Sequence, residues 1–303
     1  MSRRSVQLRL YSLLEILLAL GLLTDSLAAF LLSPFSALSN PLTSVVALAT
    51  LTLLSSFLLT LLITALLRLR GESIQTLYLG GTGVRPSDVL LGLALVPVIF
   101  FLTFLLKSAL RHFLPGLYSG ERNVLEELMH SPLDLVLFLA VALFAGGFRE
   151  ELQRAFVIRR FAAGWGPAWL GASLFALFFG YGHLVQGKDE AIIAGVFGLV
   201  WGGVYAARRN AVAPGLSHGL YDALELVRSE SSAWPRARPQ VVRESAERGP
   251  SGGESPALRP RPGGIVAPGA PLESRASPSP RRSPHPGYRE PSSFPAERGL
   301  RRD

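Results

Sequence analysis

Long apolar runs separated by short polar breaks dominate the chain up to about residue 227. Residues 10–32 are nearly continuous Leu, Ala and Phe, interrupted by Glu15 and Asp25. That matches the ~20 residues a helix needs to cross a bilayer. The basic Arg3-Arg4 pair ahead of it suits a signal peptide, but the run is long for one and lacks a clean small-residue cleavage site, so it predicts a first spanning helix. Ser33-Pro34 and Asn40-Pro41 mark a turn, and residues 43–67 predict a second span ending at Arg68-Leu69-Arg70. A polar, Gly-rich stretch over 72–87 follows, with Leu77-Tyr78-Leu79 expected at the interface. Asp88 is then expected to cap a third span to about Leu110, with Pro97 inside it. An outer loop over 111–131, with a surface-helix pattern at Asn123–Met129, leads to a fourth span from Pro132 and Asp134 to about 158. The fifth covers 167–185, the sixth ends at Arg208-Arg209, and the seventh runs from Pro214 to about Val227.

The arginine clusters after spans two, four and six fall on one side, which the positive-inside rule assigns to the cytoplasm. The expected fold is therefore all-α: a polytopic membrane bundle of about seven spans. From Ser229 the chain is rich in Pro, Arg, Ser and Gly and has little apolar periodicity, so a disordered tail is expected. Seven spans would leave this basic tail outside, against the charge rule. The expected organisation is N-terminal spans over 1–84, a core over 85–227 and the tail over 228–303. Composition agrees: 49% of residues are hydrophobic and 17% charged, with a mean hydropathy of +0.34. Cysteine is absent, which excludes disulfides, thiolate metal sites and a cysteine nucleophile. The net charge of +8 lies in loops and tail, where it reads as a topology signal. No nucleic-acid partner is expected; the lipid bilayer is.

Against this background Gly146-Gly147-Phe148-Arg149-Glu150-Glu151-Leu152-Gln153-Arg154 stands out, because charge at membrane depth needs a partner or a task. Of five histidines, His183 and His218 fall in spans, while His112, His130 and His285 fall in loops or tail. Residues four apart share a helix face, which pairs Glu150 with Arg154, Phe179 with His183, and His218 with Asp222. Glu150 and Glu151 sit about 100° apart and cannot point the same way. A carboxylate in an apolar cavity suits a general base, a histidine can hold water or a metal, and a second histidine oriented by Asp222 can donate to an oxyanion. Together these suit attack of water on a carbonyl. Each piece also has a plainer reading: Glu150, Glu151, Arg149 and Arg154 as an interfacial ion-pair cluster, His183 at headgroup level, His218 and Asp222 as an interhelical hydrogen-bond pair, and Phe175, Phe178 and Phe179 as lipid-facing or packing residues. No phosphate-binding loop and no zincin HExxH motif is present.

The acid pair followed by an arginine, then Phe179-x-x-x-His183, then His218-x-x-x-Asp222, in that order on membrane helices, resembles the CPBP intramembrane proteases, which include Ras-converting CAAX endopeptidases and bacterial Abi proteins. The resemblance covers about 85–227. It implies a peptide-bond endopeptidase with Glu150 or Glu151 as base, His183 on the water, and His218 with Asp222 supporting the oxyanion. Arg154 matches the motif arginine, yet stands one position earlier than the family's EExxxR. Glu150 is the favoured base, being an acid in either register and sharing a face with Arg154. A divalent metal such as zinc, on His183 and His218 with a glutamate, suits the donor set; a metal-free mechanism fits equally. The resemblance further implies a membrane-associated peptide or protein substrate and the cell membrane of a bacterium. Two other readings compete: a non-catalytic scaffold or immunity factor, and a proton-coupled transporter. The transporter reading lacks the internal repeat and paired broken helices common in that class.

Overall fold

A computed structural model describes residues 3–35, 44–120 and 128–233. The chain divides into two units, Met1–Glu247 and Arg248–Asp303, and the second lies wholly outside the described residues. Of the tail expected to be disordered, Ser229–Ala233 are instead helical and the rest falls outside the described residues, as do most of the expected Asn123–Met129 surface helix and the Asn40-Pro41 turn.

Among the described residues the elements are helical: α1 (Arg3–Ala19), α2 (Leu22–Leu32), α3 (Val45–Leu69), α4 (Ile74–Leu79), α5 (Pro86–Phe113), α6 (Pro132–Val141), a π-helical segment (Ala142–Glu150), α7 (Glu151–Gly164), α8 (Ala168–Gly182), α9 (Lys188–Arg208) and α10 (Val212–Ala233). Among the described residues six helices are long and apolar enough to cross a membrane: Val6–Leu32, Val45–Leu69, Pro86–Phe113, Pro132–Gly164, Ala168–Gln186 and Lys188–Arg208. The chain is an all-helical integral membrane protein. The expected seventh span, α10, is not among the six: Asp222, Glu225 and Arg228 give it one charged side.

Local differences from the expected pattern have physical causes. The first span breaks at Gly21, whose φ of 95° no other residue type adopts freely. Gln153 on α7 donates to the Ala19 carbonyl at the break (2.7 Å). Asp88 is not a cap: the helix starts at Pro86, and Asp88 lies buried in its first turn, paired with Arg85 (2.6 Å) and Arg208 (2.6 Å). Leu77 is buried in the core instead of at the interface, and Tyr78 donates to the Gly147 carbonyl (3.0 Å). His112 falls in the last turn of α5.

Burial of charge explains how α1, α3 and α7 meet. Glu15 receives Arg70 (2.7 Å) and Arg160 (2.9 Å), and Glu72 receives Arg160 (2.8 Å) and Arg159 (3.1 Å). Asp25 accepts from Ser55. Between membrane helices the hydrophobic drive is weak, so small residues set the close contacts. Gly180 on α8 faces the Ala191 carbonyl and Gly195 of α9. Gly147 faces Gly215 and Gly219 of α10, with a virtual Cβ 3.0 Å from the Gly215 carbonyl and 3.1 Å from the Gly219 Cα. This seam brings α10 onto the π-helical segment, and so brings His218 to the acid pair.

Candidate active site

The acid pair straddles a change of helix type. Glu150 ends the π-helical segment and Glu151 begins α7. The first half of α7 is buried on every side, including Leu152, Ala155, Phe156 and Ile158. Glu151 is therefore sealed in protein at 1% exposure. Its Oε1 accepts from the Arg154 guanidinium and from His218 Nδ1 (2.8 Å). Arg154 is fully buried, with its guanidinium 4.8 Å from the Phe179 ring centre and 5.4 Å from those of Phe175 and Trp201. A buried cation over aromatic faces still needs a counter-ion, and Glu151 supplies it. The expected pairing of Arg154 with Glu150 is thus replaced by one with Glu151, three residues away, because Glu151 is the acid enclosed with it.

Glu150 has a different setting. Its side chain is 20% exposed, its nearest cation is Arg149 at 3.7 Å, and His218 Nε2 lies 3.8 Å away. It lines a cavity of about 340 Å³, together with His183, His218, Asp222, Tyr221 and Phe179. Glu151 and Arg154 do not line it. Lys107 and Glu190, an ion pair at 2.7 Å, form part of the same wall.

The two histidines have distinct hydrogen-bond states. His183 Nδ1 meets the Phe179 carbonyl at 2.8 Å. A carbonyl only accepts, so Nδ1 carries the proton and the lone pair stays on Nε2. His218 Nδ1 donates to the Glu151 carboxylate, and Nε2 faces Asp222 Oδ2 at 3.4 Å. Among the described residues no group of three His, Asp or Glu side chains is placed to hold a metal ion. His183 and His218 share the cavity and both contact Phe179, with ring centres 4.5 and 6.0 Å away. Phe175 and Phe179 are packing residues, as one expectation held, but their packing is around Arg154, and Phe179 also faces the cavity.

Residues 131–224 match the family model of Rce1-like type II CAAX prenyl endopeptidases. This segment is thus similar to the CPBP/CAAX protease family. No curated protein and no solved structure matches the chain. The matched segment takes in Glu150, Glu151, Arg154, His183, His218 and Asp222, whereas Lys107 and α1–α5 lie outside it.

Three further parts of the site escaped sequence reasoning. Trp201 lies flat on His218, with ring centres 4.0 Å apart and planes at 21°. Gly146 has no side chain where one would meet Asp222: a virtual Cβ lies 2.7 Å from Oδ2. Tyr78 braces the π-helical segment through Gly147. Burial raises the Tyr78 phenol well above its ordinary range, and the Glu151 charge pushes the same way, so it stays a hydrogen-bond donor. The Gly146-Gly147 pair was the one visible signal for a close backbone approach.

Proposed function

We propose that this protein is an intramembrane endopeptidase in which Glu150 is the general base and Glu151 an anchoring acid. One observation carries the assignment: Glu150 opens on the cavity, with Arg149 at 3.7 Å and His218 at 3.8 Å both beyond hydrogen-bond reach, while Glu151 is walled off between Arg154 and His218. A base must reach the water it activates, and a carboxylate already holding two donors away from the cavity does not.

In the proposed reaction a water in the cavity, held by Glu150 and the free Nε2 of His183, gives a proton to Glu150. Its oxygen bonds to the peptide carbonyl carbon, and the carbonyl electron pair moves onto oxygen. His218, as the imidazolium protonated at both nitrogens, held at Nδ1 by Glu151 and flanked by Asp222, donates from Nε2 to that oxyanion. Collapse breaks the C–N bond, and the proton on Glu150 passes to the leaving amine. The proposed substrate is a membrane-associated peptide or protein, and the proposed membrane is that of a bacterial cell, by resemblance to the bacterial Abi proteins.

The test is hydrolysis of lipid-anchored reporter peptides, prenylated and unprenylated, by the full chain in liposomes, with and without a chelator. Glu150→Gln should abolish turnover while the melting temperature holds. Wild-type turnover by Glu150→Gln and His183→Ala would refute the peptidase. Loss of wild-type turnover on chelation would refute the metal-free form.

A further inference from the structure

His218 needs two things fixed: the direction of Nδ1 and the plane of the ring. The Glu151 bond sets the first. It leaves the second open, because the χ2 torsion of histidine has broad, roughly two-fold wells. If the ring turns about the Nδ1 contact, Nε2 leaves the cavity face it shares with Asp222 and Glu150.

The plane is set from α9. Trp201 is buried, and its indole lies on the imidazole with centres 4.0 Å apart and planes at 21°. The indole cannot slide, because its Nε1 donates to Ser217 Oγ at 2.7 Å, on the residue that precedes His218. Ser217 is itself fully buried. Phe179 meets the same imidazole edge-on at 83°. Trp201 is thus tied to the chain neighbour of the ring it covers.

We propose that Trp201 is a positioning residue for His218: its stacked, hydrogen-bonded indole holds the imidazole plane so that Nδ1 stays on Glu151 and Nε2 stays on the cavity. The role rests on the peptidase reading given above, although the ring geometry does not. Trp201 also lines the cavity, and the proposed role is exerted through His218. The acids facing that histidine are Glu150, Glu151 and Asp222, and a ring free to turn would sample a different balance among them.

The experiment compares Trp201→Leu, which removes the flat face, with Trp201→Phe, which keeps a face but loses the bond to Ser217. Both are made in the full chain in lipid nanodiscs. Four readouts are taken: kcat and KM on a lipid-anchored peptide, the pH–rate profile, the melting temperature, and the nitrogen NMR signals of His218. Trp201→Leu should lower kcat about 100-fold, the scale of a small misplacement at a reacting centre, with KM nearly unchanged. Its pH–rate profile should shift, and its NMR signals should show exchange between ring states. Trp201→Phe should recover most of kcat. A Leu variant with wild-type kcat, profile and signals overturns the role, as does one whose activity falls only in proportion to its folded fraction. If the wild type hydrolyses no peptide, the peptidase reading fails alone. The NMR signals then still decide the positioning role: unchanged His218 signals in Trp201→Leu overturn it.

Discussion

Gly146→Ala separates chemistry from folding at one position. The added methyl would lie 2.7 Å from Asp222 Oδ2, about 0.7 Å inside ordinary contact, yet 3.5 Å from His218 Nε2, which need not move. The Asp222 carboxylate is the mobile end of a side chain that is 34% exposed, so it can rotate away. That relief sacrifices a 3.4 Å contact to His218, and a partly exposed pair of this kind is worth roughly 1 kcal/mol or less. Replacing Gly by Ala inside a helix returns about 1 kcal/mol. The two offset, so the melting temperature should stay within about 4 °C of wild type. Turnover should nevertheless fall roughly 10- to 100-fold, because His218 loses its cavity-side partner. Gly147→Ala is the contrast: its methyl would meet the backbone of Gly215 and Gly219, which cannot rotate away. Overpacking of that sort costs about 1–3 kcal/mol. The assay is peptide turnover and thermal melting of both variants in liposomes, beside Asp222→Ala and the double variant Gly146→Ala/Asp222→Ala. If the methyl acts through Asp222, the double variant is no slower than Asp222→Ala. Wild-type turnover by Gly146→Ala, or losses that add in the double variant, would refute the reasoning.

Other expectations follow from the buried charges and hydroxyls. Glu151→Gln should lower stability by about 3–5 kcal/mol, as stranding a buried charge does, whereas Glu150→Gln should leave the melt unchanged and remove turnover; equal melts for the pair would contradict the division of labour. Arg160→Met should cost less than Glu151→Gln, because Glu15 keeps Arg70 and Glu72 keeps Arg159; denaturation in detergent checks the order. Tyr78→Phe should lose about 1 kcal/mol by removing the bond to Gly147. With the phenol's value raised on folding from 10.0, that contribution is fully present below about pH 10 and is lost as pH climbs through the folded value. The gap in melting temperature between wild type and Tyr78→Phe should be flat from about pH 5 to 9 and narrow above about pH 10.

Much of the bundle was legible because long apolar runs in a membrane protein have few alternatives to helices. α10 was less so: its apolar content suggested a crossing, but Asp222, Glu225 and Arg228 mark a helix with one charged side. The residues of the site were legible as types, since acids and histidines are rare at membrane depth. Their pairing was not. Spacings of three and four both bring side chains together on a helix, and the choice between Glu150 and Glu151 for Arg154 was made by the ring of Phe175, Phe179 and Trp201 contributed by α8 and α9. Trp201 gave no signal, because an aromatic residue in an apolar run is ordinary packing until its neighbour in space is known. The π-helical winding of Ala142–Glu150 has no pattern of its own in the sequence.

That winding bears on how this chain should be compared with other sequences. Where the backbone bonds i to i+5, extra residue is taken up per turn, and the angular phase of everything downstream is offset from that of a straight α-helix. The winding ends at Glu150, so it turns the acids and Arg154 together relative to α6, while the stretch from Glu151 to Arg154 keeps α-helical spacing. An offset of Arg154 from the acids in a comparison with another sequence therefore does not originate in this winding.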